Sequence, residues 1–174
     1  VPDLALNRRW VVSADVIVYG CIAHEALSVD VRPVAMQCVS FLSRASYHGA
    51  KLHVPFVFYS EVMTLATRAA SQGVIEWRAA HQLIEEAFGT EWDFHIPSWD
   101  DVLEFQPRLN SPPSSNTHEA EYLAVARNVG TAVVTTRNVF KNRVSESGID
   151  VPVMLVGDHP WSQPGALDAF PPSD

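Results

Sequence analysis

The chain has 174 residues, with 12 basic against 20 acidic side chains and a net charge of −8 with histidine neutral. That length predicts one domain, and a composition 47% hydrophobic and 18% charged excludes disorder over most of it. The acid excess argues against a protein that coats nucleic acid non-specifically, because such binding needs broad positive charge. A nuclease whose acids gather in one metal-binding cleft remains open.

In chain order, residues 9–19 (RWVVSADVIVY) open on a β-branched apolar run, which predicts a strand buried on both faces in a parallel sheet. Gly20 to Ser28 reads as a loop. Residues 31–48 carry Val34, Cys38, Phe41, Leu42 and Ala45 at helical spacing. Lys51 to Pro55 is a short strand. Phe56 to Ala70 is a helix closed by Gln72-Gly73, a glycine where a helix end favours one. Residues 75–88 form a further helix, and residues 92–96 alternate as a strand. Ser98 reads as an N-cap followed by Asp100 and Asp101, acids favoured by the helix dipole. Asn110 to Ser115 reads as a loop, His118 to Val129 as a helix ended by Gly130, and Thr131 to Thr135 as a strand. Phe140 to Ser147 is helical, and Val151 to Val156 is a last strand. From His159 the chain is rich in proline, serine and glycine.

Strands alternating with helices predict a three-layer α/β/α sandwich with a mostly parallel central sheet. The expected organisation is one domain over residues 1–158 and a Pro-rich tail over 159–174. Two cysteines, Cys21 and Cys38, are too few for a disulfide scaffold. No run approaches the ~18 apolar residues of a membrane span, and no signal-peptide pattern opens the chain. A soluble, cytoplasmic protein is expected.

Several activities lack their motifs. There is no Gly-x-Gly-x-x-Gly after the first strand, no phosphate loop of the Gly-x4-Gly-Lys-Ser/Thr kind, and no Gly-x-Ser-x-Gly elbow. A small-molecule module on a flavodoxin-like scaffold therefore has no phosphate loop to support it. The seven histidines, at 24, 48, 53, 81, 95, 118 and 159, show no His-x3-His spacing, and the cysteines no Cys-x2-Cys. The sequence predicts no zinc site.

In open parallel sheets, ligands bind beyond the carboxyl ends of the strands. Ser13 and Asp15 lie close to one such end, and Thr135, Arg137 and Asn138 lie at another. Glu61 sits inside the apolar helix 56–70, and Glu119 and Glu121 open the helix before the strand 131–135. Magnesium and manganese take oxygen ligands, commonly one or two carboxylates plus waters. Acids drawn from separate elements are what metal-assisted phosphodiester hydrolysis needs.

Three blocks in this order resemble the PIN domain, the fold of VapC-type toxin ribonucleases. Residues 9–19 look like its opening strand. Residues 54–68 (VPFVFYSEVMTLATR) look like its second helix, with the metal-binding acid at Glu61. Residues 118–138 (HEAEYLAVARNVGTAVVTTRN) are similar to its third block, in which an acid, a strand and Thr-x-Asp follow one another. The resemblance implies catalytic and metal-binding roles for Asp15, Glu61 and Glu119, with magnesium or manganese as the cofactor of an active enzyme. It also implies an RNA substrate, a homodimer and an antitoxin-like protein partner.

The departures from that pattern matter as much. The first family acid falls on Ser13, the third on Glu119 and the last on Arg137. Asp15 could stand in for Ser13 across a strand, and Asn138 could offer a neutral oxygen. Otherwise Arg137 fills the metal position as a counter-ion for Glu61 and Glu119. The favoured expectation is thus a PIN-like protein with nuclease activity weak or lost and RNA or partner binding retained. An active magnesium- or manganese-dependent endoribonuclease is the alternative. Arg137, Lys141 and Arg143 are the candidate phosphate contacts. Trp77, Trp92 and Trp99 are expected in the core rather than as stacking platforms.

Overall fold

The computed structural model describes residues 8–22, 27–109 and 113–162. The chain runs through β1 (Arg9–Val12), α1 (Ala14–Cys21), α2 (Arg32–Tyr47), β2 (Lys51–Pro55), α3 (Phe58–Ser71), α4 (Trp77–Gly89) and β3 (Asp93–His95). It continues through α5 (Trp99–Phe105), α6 (Pro113–Val129), β4 (Val133–Thr135), α7 (Asn138–Glu146) and β5 (Val153–Leu155).

The five strands form one sheet in the order β3-β2-β1-β4-β5, and every pairing is parallel. Val11 stands opposite His53 on one side and Val133 on the other. The alternation of the strand sends Trp10 and Val12 to one face and Val11 to the opposite face. Trp10 and Val12 join a core with residues of α1 to α4. Val11 joins a second core with residues of α5, α6 and α7. With both faces covered, the architecture is a three-layer α/β/α sandwich, and β1 reads as a continuous apolar run because neither face meets water.

That same continuity explains the main departure from the expected elements. Residues 9–19 are not one strand: β1 ends at Val12, and Ala14 begins a helix in which Val16, Ile17 and Val18 are buried. A fully buried apolar run carries no period that separates strand from helix. Gly20 and Cys21, expected in a loop, belong to α1, and residues 23–26 of that loop lie outside the described residues. The helix expected from His118 begins at Pro113, since proline is well tolerated in a first helical turn. Residues 110–112 of the expected loop lie outside the described residues.

The expected tail begins within the core. His159 and Trp161 are 0% and 1% exposed, and His159 stands edge-on to Trp10 and Phe41. Arg44 of α2 donates to the Trp161 carbonyl. A boundary at residue 158 therefore falls too early; residues 163–174 lie outside the described residues. Of the three tryptophans expected inside, Trp92 is half-buried and donates Nε1–H to the Ala87 carbonyl at 2.6 Å. Trp77 and Trp99 are exposed. No described helix is long and apolar enough to cross a membrane.

Candidate functional site

The chain leaves β1 toward β2 and β3 on one side, and reaches β4 and β5 on the other. β1 and β4 are neighbours at this reversal, so a crevice opens beyond their carboxyl ends. Ser13, Asp15, Thr135, Thr136 and Arg137 all follow those two ends. α3 brings Glu61 in its first turn, and α6 brings His118, Glu119 and Tyr122.

Ser13 is buried and committed to the sheet. Its N–H and its Oγ both donate to the Val134 carbonyl, at 3.0 and 3.1 Å. It does not cap α1. Asp15 is in the first turn of that helix, not on a strand, so the expected strand geometry for its substitution of Ser13 does not apply. Its Oδ2 accepts from the Thr136 N–H at 2.6 Å, from the Thr136 hydroxyl, and from Thr135 Oγ1 at 3.2 Å. Two adjacent threonines at the end of β4 thus hold the Asp15 carboxylate.

Glu61 is held by α6. Tyr122 donates its hydroxyl to Glu61 Oε2 at 2.7 Å, and His118 Nδ1 lies 3.1 Å from Oε1. His118 and Tyr122 are four residues apart, which puts them on one face of the helix. The Tyr122 oxygen also accepts the Ala14 N–H at 3.2 Å, tying the start of α1 to α3. Burial, and then Glu61, push the Tyr122 hydroxyl well above the ordinary phenol pKa. The hydrogen bond to Glu61 raises the His118 pKa, against the opposing effect of burial.

Glu119 points away from that pair. Its side chain is 1% exposed and lies 2.7 Å from Arg137 Nη2 and 2.8 Å from Arg143 Nη1. The Arg143 contact is a hydrogen bond; the Arg137 contact is an ionic approach to Oε1, outside hydrogen-bond alignment. Burial pushes the Glu119 carboxyl upward, and the two guanidiniums pull against it. Arg137 therefore meets one of the two acids expected for it, Glu119, and Arg143 is the second cation there.

Asp15, Glu61, His118, Arg68, Arg137 and Thr64 line a cleft of about 400 Å³. Asp15, Arg68 and Arg137 also border a larger hollow of about 580 Å³ with apolar walls that include Tyr19, Ile22 and Leu65. Two carboxylates face two guanidiniums in the first cleft, so its formal charge cancels. His118 lies on the same cleft, its pKa raised by the hydrogen bond to Glu61.

The three acids expected to share a metal ion do not bring their ligand atoms into one close cluster. Among the described residues, the group whose possible ligand atoms gather within 4.8 Å is His53, Asp93 and His95, not Asp15, Glu61 and Glu119. Each of those three acids already holds hydrogen-bond donors or cations of the chain. The expected phosphate contacts also separate: Arg137 lines the cleft, Arg143 turns inward to Glu119, and Lys141 pairs with Asp158 at 2.8 Å.

His118, Tyr122 and Arg68 were not singled out by the sequence. The four-residue spacing of His118 and Tyr122 was the available signal, and it gains meaning only once Glu61 is placed opposite. No protein-family model matches the chain, and no curated protein matches it.

Proposed function

We propose that this protein is a PIN-like relative of metal-dependent endoribonucleases in which metal-dependent cleavage is weak or lost and single-stranded RNA is bound at the former nuclease cleft. One observation carries this reading: Glu119 is buried between Arg137 and Arg143, so guanidiniums supply the positive charge that a divalent ion would otherwise bring. A dication beside two arginines is opposed electrostatically, by about 3 kcal/mol per unit pair at 5 Å and an effective dielectric near 20.

Arg137, together with Arg68, also suits a phosphate. Arg68 and Arg137 stand on the boundary between the polar cleft and the apolar hollow. That places backbone contacts beside space for a base, with Tyr19 on its wall. Phosphate contacts would fix the position of the strand, and base contacts would give any preference. A second copy of the chain is the proposed homodimer partner, supported by exposed Met63, Trp77 and Phe88 on α3 and α4. An antitoxin-like partner rests on the family resemblance alone.

The test pairs binding with cleavage. Fluorescence anisotropy on a short single-stranded RNA should show binding that Arg68→Ala or Arg137→Ala weakens by roughly tenfold, with a shallower salt dependence. Incubation with manganese should give little or no cleavage above a no-protein control. Manganese-dependent cleavage that disappears in Glu61→Gln would establish the active endoribonuclease instead, and the absence of RNA binding would remove the reading altogether.

A further inference from the structure

A second cluster of metal-ligating side chains lies on another part of the sheet. β2 and β3 are paired with His53 opposite Asp93 and Pro55 opposite His95. Paired residues of parallel strands share a face, and residues two apart on one strand share it too. His53, Asp93 and His95 therefore project from the same side of the sheet, the side on which Val11, the β1 partner of His53, meets the second core. His53 Nδ1 lies 2.9 Å from His95 Nε2 and 3.4 Å from Asp93 Oδ2. Tetrahedral zinc with bonds near 2.0–2.1 Å keeps its ligand atoms about 3.3 Å apart. His53 Nδ1 already stands close to that spacing from both partners, and all three residues offer ligand atoms within 4.8 Å of one another.

We infer that His53, Asp93 and His95 form a zinc-class transition-metal site that pins the edge strand β3 to β2. Two imidazoles and one carboxylate are a donor set suited to zinc, cobalt or nickel rather than magnesium. His53 is 5% exposed and Asp93 is exposed, so the site has one buried anchor and a solvent-facing side where water can complete the coordination. His53 Nε2 is buried without a hydrogen-bond partner. A ring ligating through Nδ1 carries its proton on Nε2, so this missing outer contact holds the affinity below that of a fully supported site.

The site also has a structural use. β3 is three residues long and sits at the sheet edge, where short strands have few interactions to hold them. A metal bridging the two strands would stabilise the folded chain by mass action. This inference is independent of RNA binding, since none of its ligands lines the cleft that holds Asp15 and Glu61.

The experiment is a thermal unfolding series on the full chain after chelator treatment and dialysis. Zinc at about 100-fold above its Kd should raise Tm by roughly 5–10 °C, and cobalt should give one equivalent of a visible tetrahedral absorption. Both effects should persist in Glu61→Gln. His95→Ala and Asp93→Asn should each weaken zinc binding by at least about tenfold, because losing a direct ligand exceeds the loss of an outer contact. Both positions lie on the edge strand, so folding of each variant can be checked by circular dichroism; Asp93→Asn is the nearly isosteric one. A Tm that zinc leaves unmoved overturns the site, as does zinc binding that both folded variants retain at wild-type strength.

Discussion

The Tyr122 hydroxyl joins two elements at once: it donates to Glu61 Oε2 at 2.7 Å and accepts the Ala14 N–H at 3.2 Å. The residue is 2% exposed, so no water replaces these partners if the oxygen is removed. Tyr122→Phe should cost about 1–3 kcal/mol, the range for leaving a buried polar group unpaired. Urea unfolding measures it. A loss under about 0.5 kcal/mol would show that the hydroxyl does not hold α1 to α3.

The Glu119 site predicts a particular order of stabilities. Removing both arginines leaves a buried carboxylate without compensation, a change that costs about 3–5 kcal/mol in comparable pairs. Arg137→Ala with Arg143→Ala should therefore destabilise strongly, and adding Glu119→Gln should recover part of the loss. If the triple variant is no more stable than the double, the arginines act through packing and not through charge.

His118 reports on the electrostatics of the cleft. Its folded pKa is raised above 6.5 by the hydrogen bond to Glu61. The stabilising effect of that pair is then fully present below the unfolded pKa and is lost as pH rises through the folded one. A titration followed by NMR should place His118 above the free-histidine value, and Glu61→Gln should bring it down. A midpoint unchanged by that substitution would contradict the pairing.

His159 has the opposite sign. The Trp161 backbone N–H donates to His159 Nδ1 at 3.0 Å, which leaves the neutral ring with its proton on Nε2. Burial lowers its pKa from 6.5 to about 4. Below pH 6.5 the unfolded chain takes up a proton that the folded chain refuses, so stability falls as pH drops through this window. The loss attributable to this residue approaches about 3 kcal/mol near pH 4. His159→Gln, compared with wild type at pH 7 and pH 4.5, should flatten that part of the profile. Parallel losses in both proteins would assign acid sensitivity to the carboxylates.

How far the sequence reaches can be followed residue by residue. β2 was legible to its ends, because Lys51 to Pro55 is bounded by a glycine turn and a proline. α3 and α4 were legible because each has one wet face and therefore a period. β1 and α1 merged because Val11, Val12, Val16 and Ile17 are all buried, and a run without a polar face has no period to read. Trp161 was placed in a tail by the prolines around it, although its own ring fills the space between α2 and β1.

Composition and local pattern alone determined an alternating α/β chain, a mostly parallel sheet and the acids of the cleft, with Arg137 but not Arg68 among its cations. Only the tertiary structure decided their partners. Glu119 and Arg143 are 24 positions apart, and His53 and His95 are 42 apart, so neither pair shares a helical turn or a strand. Which charges meet depends on strand register and on the faces that helices turn inward, and both are set by burial over the whole core. An acid that local pattern offers to a metal was in this way given to two arginines, while histidines without ligand spacing were brought together across two strands.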